Sequence, residues 1–431
     1  MAEKTKPLLL ICSNPISGHF APCKIIAKIL IERGYEVTFL TGSKFGPGVE
    51  AIGATFIPLE GYSNFDDSPS GLAEKWPIRE TLQVPARTLF DFEHVFLNPI
   101  PSQFSSVQKA LKLMTDKNPG RPIIMLQDIV FYGGLPLLAG APGIKPAAVI
   151  TLGIAPIVLA SPDIPPMGSG LPQTILLKDA SLEVCGAKGP GMFFLDAAYL
   201  LPDRVIQLCA PSAEYPRSDL PKTIVFSGGL PKGHRDVVST THPSWWDEVT
   251  TNASKKRIVF VSQGTVALDY GDLIIPTIEA FADHDNTIII VALGVKGASL
   301  PDSVTVPKNA YVEDFLPFDD ILPYCDVFIT NGGYGGFQHG LSNGVPMVMG
   351  GDSEEKPENC ARGEWIGVGV NLKTARPDAE FLRGEVEKVL SDQKYKKKVE
   401  EIKKEMESMD PMAIIEAQIE ELAKEKSASI I

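Results

Sequence analysis

The first part of the chain repeats a pattern in which a short apolar run, a turn and apolar residues at helical spacing follow one another. Residues 8–12 form the first run, Ser17-Gly18 lies in the turn, and residues 22–33 carry apolar side chains three and four positions apart. This pattern predicts a strand followed by a helix. Further strands are predicted at 36–41, 54–59, 122–127 and 147–151. The alternation of strands and helices predicts a mostly parallel, doubly wound α/β sheet.

The same pattern restarts at Arg257, after a segment rich in proline and glycine. Strands are predicted at 258–262, 287–293, 327–330 and 346–349, with a helix over 273–282. We therefore predict two Rossmann-like domains that face each other across a cleft. The predicted division is a first domain at 1–220, a linker at 221–243, a second domain at 244–395 and amphipathic helices at 396–431, which could pack back on the first domain.

Composition narrows the class of protein. The 431 residues, 44% of them hydrophobic and 22% charged, are enough for two packed cores. The net charge of −13 argues against a nucleic-acid partner, because phosphate backbones attract clustered Lys and Arg. The six cysteines lack metal-ligand spacing, so neither a metal site nor a disulfide framework is predicted. The first apolar run is too short for a signal peptide, and no stretch reaches the ~20 residues of a membrane helix, so we expect a cytoplasmic protein.

Doubly wound sheets bind ligands in the turns that follow their strands, and two such turns carry candidate catalytic groups. His19 follows the first strand, and an imidazole with a pKa near its ordinary value of about 6.5 suits proton abstraction near neutral pH. Asp128 ends a later strand and could hold the other ring nitrogen of His19, as a carboxylate does in hydrolytic triads. A histidine in a turn and an aspartate that caps a helix are the alternative interpretations.

Residues 61–105 interrupt the regular pattern and are rich in aromatic side chains. An apolar pocket for an acceptor molecule is therefore predicted in this region. The aromatic residues assigned to this pocket are Trp76, Phe90 and Phe92 from the region itself, with Phe131 from the turn after a later strand.

Several motifs, in matching order, make the chain resemble the UDP-glycosyltransferases of the GT-B fold, which include plant, bacterial, fungal and sterol-modifying enzymes. The N-terminal motif of this family is similar to residues 18–22, Gly-His-Phe-Ala-Pro. Its C-terminal signature is similar to residues 309–369, with matching segments at 314–317, 330–333, 344–348, 357–359 and 367–369. The resemblance implies transfer of a hexose from a UDP-sugar, by default UDP-glucose, to a small lipophilic hydroxyl compound, with inversion and with His19 as the base. It implies no cofactor and no metal ion.

The resemblance also implies a set of donor-binding residues. The two glycine turns of the second domain, at Gly264-Thr265 and at 332–336, are each predicted to open a helix, whose N-terminal N–H groups can bind an anion without Lys or Arg. The donor-binding residues implied are Gly18, Gly264, Thr265, Val312, Asn331, Gly332, Gly333, Gly335, Gly336, His339, Glu355, Lys356 and Glu358.

This chain departs from the family pattern at positions that contact the donor. Asn331 stands where a histidine is usual, and His339 stands where the family has the glutamate that binds the ribose. Glu355-Lys356 replaces the Asp-Gln pair that contacts the sugar, and Phe318 replaces a common glutamine. A neutral imidazole offers one acceptor where a carboxylate offers several, so ribose contact could pass to Glu358.

Other functions compatible with these motifs are a non-catalytic nucleotide-sugar-binding protein and another GT-B enzyme such as a sugar-nucleotide epimerase. An epimerase needs acid and base residues beside the donor sugar and has no need of His19 in the first turn. The combination of His19 and Asp128 therefore favours transfer. The sequence does not determine the acceptor or the position on it that is attacked. It also leaves open whether oxygen or carbon is the nucleophile, and the oligomeric state.

Overall fold

The computed structural model describes residues 6–83, 86–161, 184–187, 194–230, 242–265, 267 and 269–428, with the side chains of 427 and 428 left out. These residues form two compact units. The first unit contains the described residues up to Leu208, those from Arg217 to 230 and those from Asp410 onward. The second contains Cys209–Pro216 and the described residues from 242 to Met409.

The first unit is built on a sheet of seven parallel strands. Its strands are β1 (Leu8–Cys12), β2 (Val37–Thr41), β3 (Thr55–Pro58), β4 (Ile123–Asp128), β5 (Ala148–Gly153), β6 (Arg204–Gln207) and β7 (Ile224–Phe226). The spatial order is β3-β2-β1-β4-β5-β6-β7. The chain therefore reverses direction across the sheet between β1 and β4, where Cys12 pairs with Gln127. Ligands of doubly wound sheets bind at such a switch point.

Helices cover both faces of this sheet. They are α1 (Ser17–Glu32), α2 (Gly46–Glu50), α3 (Pro69–Lys75), α4 (Ala86–Asp91), α5 (Ile100–Lys117), α6 (Leu135–Leu138) and α7 (Phe194–Leu200). Helix α1 begins five residues earlier than the apolar spacing predicts, because Pro22 is accommodated in its second turn. His19 therefore lies in the first turn of a helix and not in a loop.

The second unit contains a sheet of six parallel strands in the order β10-β9-β8-β11-β12-β13. Its strands are β8 (Arg257–Ser262), β9 (Thr287–Ala292), β10 (Ala310–Glu313), β11 (Val327–Thr330), β12 (Met347–Met349) and β13 (Gly369–Asn371). Its helices are α8 (Trp246–Thr251), α9 (Ile274–Phe281), α10 (Phe318–Ile321), α11 (Tyr334–Asn343), α12 (Lys356–Ile366), α13 (Ala379–Ser391) and α14 (Gln393–Glu407). The switch point of this sheet lies between β8 and β11.

The last helix, α15 (Pro411–Ala428), belongs to the first unit although α14 belongs to the second. Its apolar side chains Met412, Ile415, Ile419 and Leu422 are buried in the core of the first unit. Glu416 accepts hydrogen bonds from Arg33 at 2.8 Å and from Lys6 at 3.1 Å. The helices predicted together at 396–431 are thus divided between the units.

The predicted linker, 221–243, also differs from what the structure shows where it can be compared. Strand β7 lies within it and pairs with β6, so residues 224–226 are part of the first sheet. Residues 231–241 lie outside the described residues. In the part of the chain that is described, no helix is both long and apolar enough to cross a membrane.

Candidate active site

A buried carboxylate holds a histidine at the switch point of the first sheet. Asp128, at the end of β4, has no exposed surface. One of its oxygens accepts the backbone N–H of Asn14 at 3.1 Å, and the other accepts that of Val130 at 3.0 Å. The Nδ1 atom of His19 lies 2.9 Å from the second oxygen. Both oxygens of the Asp128 carboxylate therefore act as hydrogen-bond acceptors.

This contact fixes the tautomer of the imidazole. Because an ionised carboxylate only accepts hydrogen bonds, Nδ1 of His19 carries the proton and Nε2 is the acceptor of the ring. The side chain of His19 is 21% exposed, whereas that of Asp128 is fully buried. The pair can therefore accept a proton at Nε2 and stabilise the resulting imidazolium through Asp128.

Two buried amide side chains adjoin this pair, and the sequence pattern does not reveal them. Asn14 accepts a hydrogen bond from Nε2 of Gln103 at 2.8 Å, and both side chains are fully buried. Gln103 lies on α5, 89 positions along the chain from Asn14. Contacts between residues this far apart leave no trace in a local sequence pattern. The one available sign was a glutamine among the apolar positions of a helix.

The beginning of α1 already carries a negative charge. Asp67 accepts the backbone N–H of Ser17 at 2.6 Å, and Lys44 pairs with both Asp67 and Asp66. Gly18, which is predicted to bind the donor, follows Ser17 in this helix turn, and no atom lies within 4 Å of the position that a Cβ would take on it.

The switch point of the second sheet is a glycine turn that leads into α11. The side chain of Asn331 donates to the backbone oxygen of Gln263 at 2.5 Å and accepts the N–H of Gly333 at 3.2 Å. It thereby joins the turns after β8 and β11. Gly332 has a φ of +78°, and α11 starts directly after Gly333. The first N–H groups of such a helix have no partner within it, which makes this turn suitable for a diphosphate.

The turn at Gly264-Thr265 does not open a helix, contrary to expectation. Helix α9 begins at Ile274, and the side-chain oxygen of Gln263 accepts the N–H groups of Leu273 and Ile274 at 3.1 and 3.0 Å. A neutral amide therefore caps α9. Gly264, with a φ of +77°, instead adopts the left-handed backbone conformation of a tight turn, which favours glycine. The turn at Gly264 still lies beside Asn331, because the side chain of Asn331 donates a hydrogen bond to the backbone oxygen of Gln263.

His339 is held by an acidic side chain from a neighbouring helix. Its Nδ1 atom lies 2.7 Å from Asp319 of α10, which also accepts a hydrogen bond from Asn343 at 2.9 Å. His339 is only 7% exposed and packs with its ring edge against Phe318. By the same argument as for His19, the carboxylate leaves Nε2 as the acceptor of the ring.

Lys356 is paired within its own loop. Its ammonium group contacts Glu354 and lies 3.2 Å from the Ser353 hydroxyl, and its side chain is 12% exposed. Burial lowers the pKa of Lys356, but the nearby carboxylates of Glu354 and Glu355 outweigh that effect and raise it above its ordinary value. Lys356 is therefore a fixed cation whose charge is already balanced.

Other predicted donor residues surround the start of α11. Glu355 accepts the backbone N–H of Tyr334 at 3.4 Å. On the next helix, Asn359 donates to the backbone oxygen of Gly332 at 2.8 Å, while Glu358 lies one residue away on α12. Glu355 at the start of α12 and Asn359 within α12 thus both contact the turn that contains Asn331.

A cavity of about 470 Å³ opens at the carboxyl ends of β9 and β10. Val312 lines it together with Leu293, Leu300, Val304 and Asp314. This volume lies within the range of about 300–1,000 Å³ that is typical of small-molecule sites, and the lining combines apolar side chains with two carboxylates, Asp302 and Asp314. The cavity can accommodate a flat heterocycle.

The predicted acceptor residues do not form a single cluster. Trp76 is buried with Phe65 and Val95, and both Phe90 and Ile16 pack against them. Because Ile16 directly precedes α1, this cluster lies beside the helix turn that carries His19.

The other two aromatic residues lie elsewhere in the first unit. Phe92 packs against Phe96 and Phe194 at the edge of the main core. Phe131 is fully buried with Val107 and Leu111 of α5. Its ring fills the core and offers no surface to an acceptor. The structure therefore removes Phe131 from the candidate pocket.

Comparison with known proteins identifies the family to which this chain belongs and the fold that it shares with solved structures. The family described as erythromycin biosynthesis protein CIII-like, C-terminal domain, matches residues 276–422. UDP-glucosyltransferase A1 of Starmerella bombicola is 38% identical over 97% of this chain and 93% of that protein. 4'-demethylrebeccamycin synthase of Lentzea aerocolonigenes is 30% identical over 95% of this chain and 97% of that protein.

Solved structures share the architecture at lower identity. The glycotransferase of kitacinnamycin superposes with a TM-score of 0.74 at 21% identity, over 97% of this chain and 100% of that one. The calicheamicin glycosyltransferase CalG4 superposes with a TM-score of 0.72 at 17% identity, over 97% and 98% of the two chains. The predicted fold of two Rossmann-like domains is confirmed.

Proposed function

Given that this chain belongs to the UDP-glycosyltransferase family, we propose that it transfers glucose from UDP-glucose to a hydroxyl group of a small lipophilic acceptor, with inversion at the anomeric carbon. The observation that carries this proposal is the 2.9 Å contact between Nδ1 of His19 and the buried Asp128. It supports His19 as a general base with its Nε2 atom as the proton acceptor.

The reaction proceeds in a single displacement. Nε2 of His19 takes the proton of the acceptor hydroxyl while its oxygen forms a bond to the anomeric carbon. The bond from that carbon to the β-phosphate oxygen breaks, and UDP leaves with the electron pair. One displacement inverts the anomeric configuration. Asp128 stabilises the imidazolium that forms, which requires no metal ion or other cofactor.

The diphosphate of the donor is assigned to the turn from Asn331 to Gly336. The N–H groups at the start of α11 and the dipole of this helix stabilise negative charge as it develops on the leaving UDP. This explains how a chain with a net charge of −13 can bind an anion without a basic cluster. The uracil is assigned to the cavity beside Val312, whose lining combines apolar side chains with carboxylates.

The acceptor is assigned to the aromatic cluster of Trp76 and Phe90, which lies against Ile16. Its aromatic and apolar side chains suit a phenol, polyketide, flavonoid or sterol-like alcohol. The proximity of this cluster to the first turn of α1 supports a position of the acceptor hydroxyl near His19.

The proposal is tested by incubating the protein with UDP-glucose and a panel of phenols, flavonoids, sterols and long-chain alcohols. We expect at least one acceptor to gain the mass of one hexose, and the proton coupling of its anomeric centre to show the β-configuration. A product of the α-configuration would contradict single displacement. Conversion of UDP-glucose into another UDP-hexose without any acceptor product would instead favour an epimerase.

Exchange of Lys356 for glutamine should leave the choice of donor sugar nearly unchanged. Lys356 already pairs with Glu354, so it cannot offer its charge to the carboxylate of a glucuronate donor without breaking that pair. We expect the wild type to prefer UDP-glucose to UDP-glucuronate and Lys356→Gln to keep that order. The two donors compete in one reaction, and mass spectrometry measures the ratio of glucoside to glucuronide product.

The control for this experiment is Lys373→Gln, which removes a lysine that is 72% exposed. It reproduces the change of net charge away from the loop of Lys356. Preference for glucuronate in the wild type, lost in Lys356→Gln and retained in Lys373→Gln, would overturn glucose as the donor sugar.

Replacement of His339 by alanine should weaken the binding of UDP and the binding of UDP-glucose to the same extent. The proposed contact from Nε2 is to the ribose that both ligands share, and loss of one hydrogen bond corresponds to a factor of about 3 to 10 in Kd. Titration calorimetry with each ligand measures this effect. If Glu358→Ala produced the loss and His339→Ala did not, the ribose contact would belong to the carboxylate.

A further inference from the structure

Three polar side chains with no exposed surface lie together behind the proposed base. They are Asn14, Gln103 and Asp128, from the turn after β1, from α5 and from the end of β4. Burial of an amide is favourable only when its donors and acceptors are satisfied, and an apolar core of equal volume would be no less stable. Their presence therefore calls for a role other than packing.

A chain of hydrogen bonds runs from Gln103 through Asn14 to Asp128, which contacts the proposed base His19. The oxygen of the Gln103 amide accepts the backbone N–H of Tyr132 at 3.1 Å, and its Nε2 atom donates to Asn14 at 2.8 Å. The Nδ2 atom of Asn14 donates to the backbone oxygen of Val130 at 3.0 Å, while its backbone N–H donates to Asp128. Gln103 thus connects the turn before α1 with the turn after β4.

We propose that Gln103 is a positioning residue, which acts through Asn14 to hold Asp128 and His19 in the geometry of the general base. The proposal rests on the proposed role of His19. Movement of Asn14 would remove one of the two backbone donors from Asp128 and shift the turn that leads into α1. Either change loosens the contact between Asp128 and Nδ1 of His19, on which the tautomer depends.

Gln103 also lies where the acceptor region joins the core. It stands in the first turn of α5, next to Ser102, whose hydroxyl accepts the backbone N–H of Ser63 at 2.9 Å. Ser63 belongs to the irregular region in which we place the acceptor. One helix turn therefore contacts both this region and the base.

The other titratable groups that interact with Asp128 stay neutral near physiological pH. Burial raises the pKa of Cys23 on α1 and of Tyr132 after β4 well above their ordinary values. Burial likewise raises the pKa of Cys12 at the end of β1. Titration of these three groups therefore does not contribute to a change in the pH profile of the Gln103 variants near neutral pH.

The chain supplies a matched control on the same helix. Gln108 forms an equivalent amide pair with the backbone of Ile144, accepting at 2.8 Å and donating at 3.0 Å, but it does not contact the turns around Asp128. Gln103→Met and Gln108→Met each remove one such amide from α5. Gln103→Leu removes the same amide with an apolar side chain of a different shape, so an effect shared by both Gln103 variants is due to loss of the amide.

With UDP-glucose and 2,4,5-trichlorophenol as probes, both Gln103 variants should lower kcat by about 10-fold or more, because misplaced catalytic groups cost rate. The KM for UDP-glucose should stay unchanged. The acidic limb of kcat/KM should move to lower pH, since a looser carboxylate stabilises the imidazolium less. Gln108→Met should leave kcat and the limb unchanged.

Nitrogen-15 NMR of the histidine rings tests the proposal without turnover, with the His19 signal assigned by its loss in His19→Gln. We expect the Nδ1–H tautomer in the wild type and in Gln108→Met, and a growing Nε2–H fraction in the Gln103 variants. An unchanged tautomer and pH limb in the Gln103 variants would overturn the proposal, as would failure of both to fold when Gln108→Met folds. Retained turnover in His19→Ala would contradict the role of His19 as the general base. The tautomer of His19 measured by NMR would still show whether Gln103 positions that ring.

Discussion

Replacement of His19 by alanine lowers kcat by roughly 100-fold or more, the usual scale for loss of a general base. The affinity for UDP stays close to that of the wild type, because the diphosphate is assigned to the turn of Asn331 and Gly332 in the second unit. Single-turnover kinetics with a saturating donor measure the chemical step, and titration calorimetry measures the binding of UDP. Activity equal to that of the wild type would remove His19 from the mechanism.

Asp128→Asn is the companion to this experiment. The amide has nearly the volume of the carboxylate, but it can donate where the carboxylate only accepts, so it no longer selects the Nδ1–H tautomer. We expect a loss of kcat equal to or smaller than that of His19→Ala, with the fold retained. A fully active Asp128→Asn enzyme would show that Asp128 serves only to hold the turn at Asn14 and Val130.

Replacement of Gly332 by alanine should both destabilise the second unit and weaken UDP binding. The φ of +78° is unfavourable for alanine by about 1–2 kcal/mol. Its methyl group would lie 2.5 Å from the sulfur of Cys360 and 3.2 Å from the backbone oxygen of Lys356. Cys360 is fully buried, so little space exists for adjustment. We expect the free energy of unfolding to fall by about 2–3 kcal/mol and UDP affinity to fall by about 10-fold.

Two further variants separate strain from general damage to the helix. Gly335→Ala places a methyl group with no atom within 4 Å, so the unfolding midpoint in urea should stay unchanged or rise slightly. Addition of Cys360→Ala to Gly332→Ala removes the clash and should restore part of the lost stability but not the part due to φ. Wild-type UDP affinity in Gly332→Ala would place the diphosphate elsewhere.

Local sequence patterns were sufficient for most of the two sheets. The bounds of β1 and β11 agree with the predicted strands, because both are short apolar runs that end in polar residues. Strands β6, β10 and β13 were missed because each has only three or four residues and mixed polarity. Their extended conformation comes from pairing with a neighbouring strand, which is a tertiary interaction.

The sequence by itself determined the family, the parallel sheets and the placing of His19 and Asp128 after strands, since these depend on the order of apolar runs and turns. Only the tertiary structure decided what each side chain contacts. It gave Asp319 as the partner of His339, the Gln263 side chain as the cap of α9, and the amide of Gln103 as the contact of Asn14. These partners come from segments that are distant along the chain or from the direction in which a helix face points. Register and helix packing set those contacts, and neither is encoded in a local pattern of polar and apolar positions.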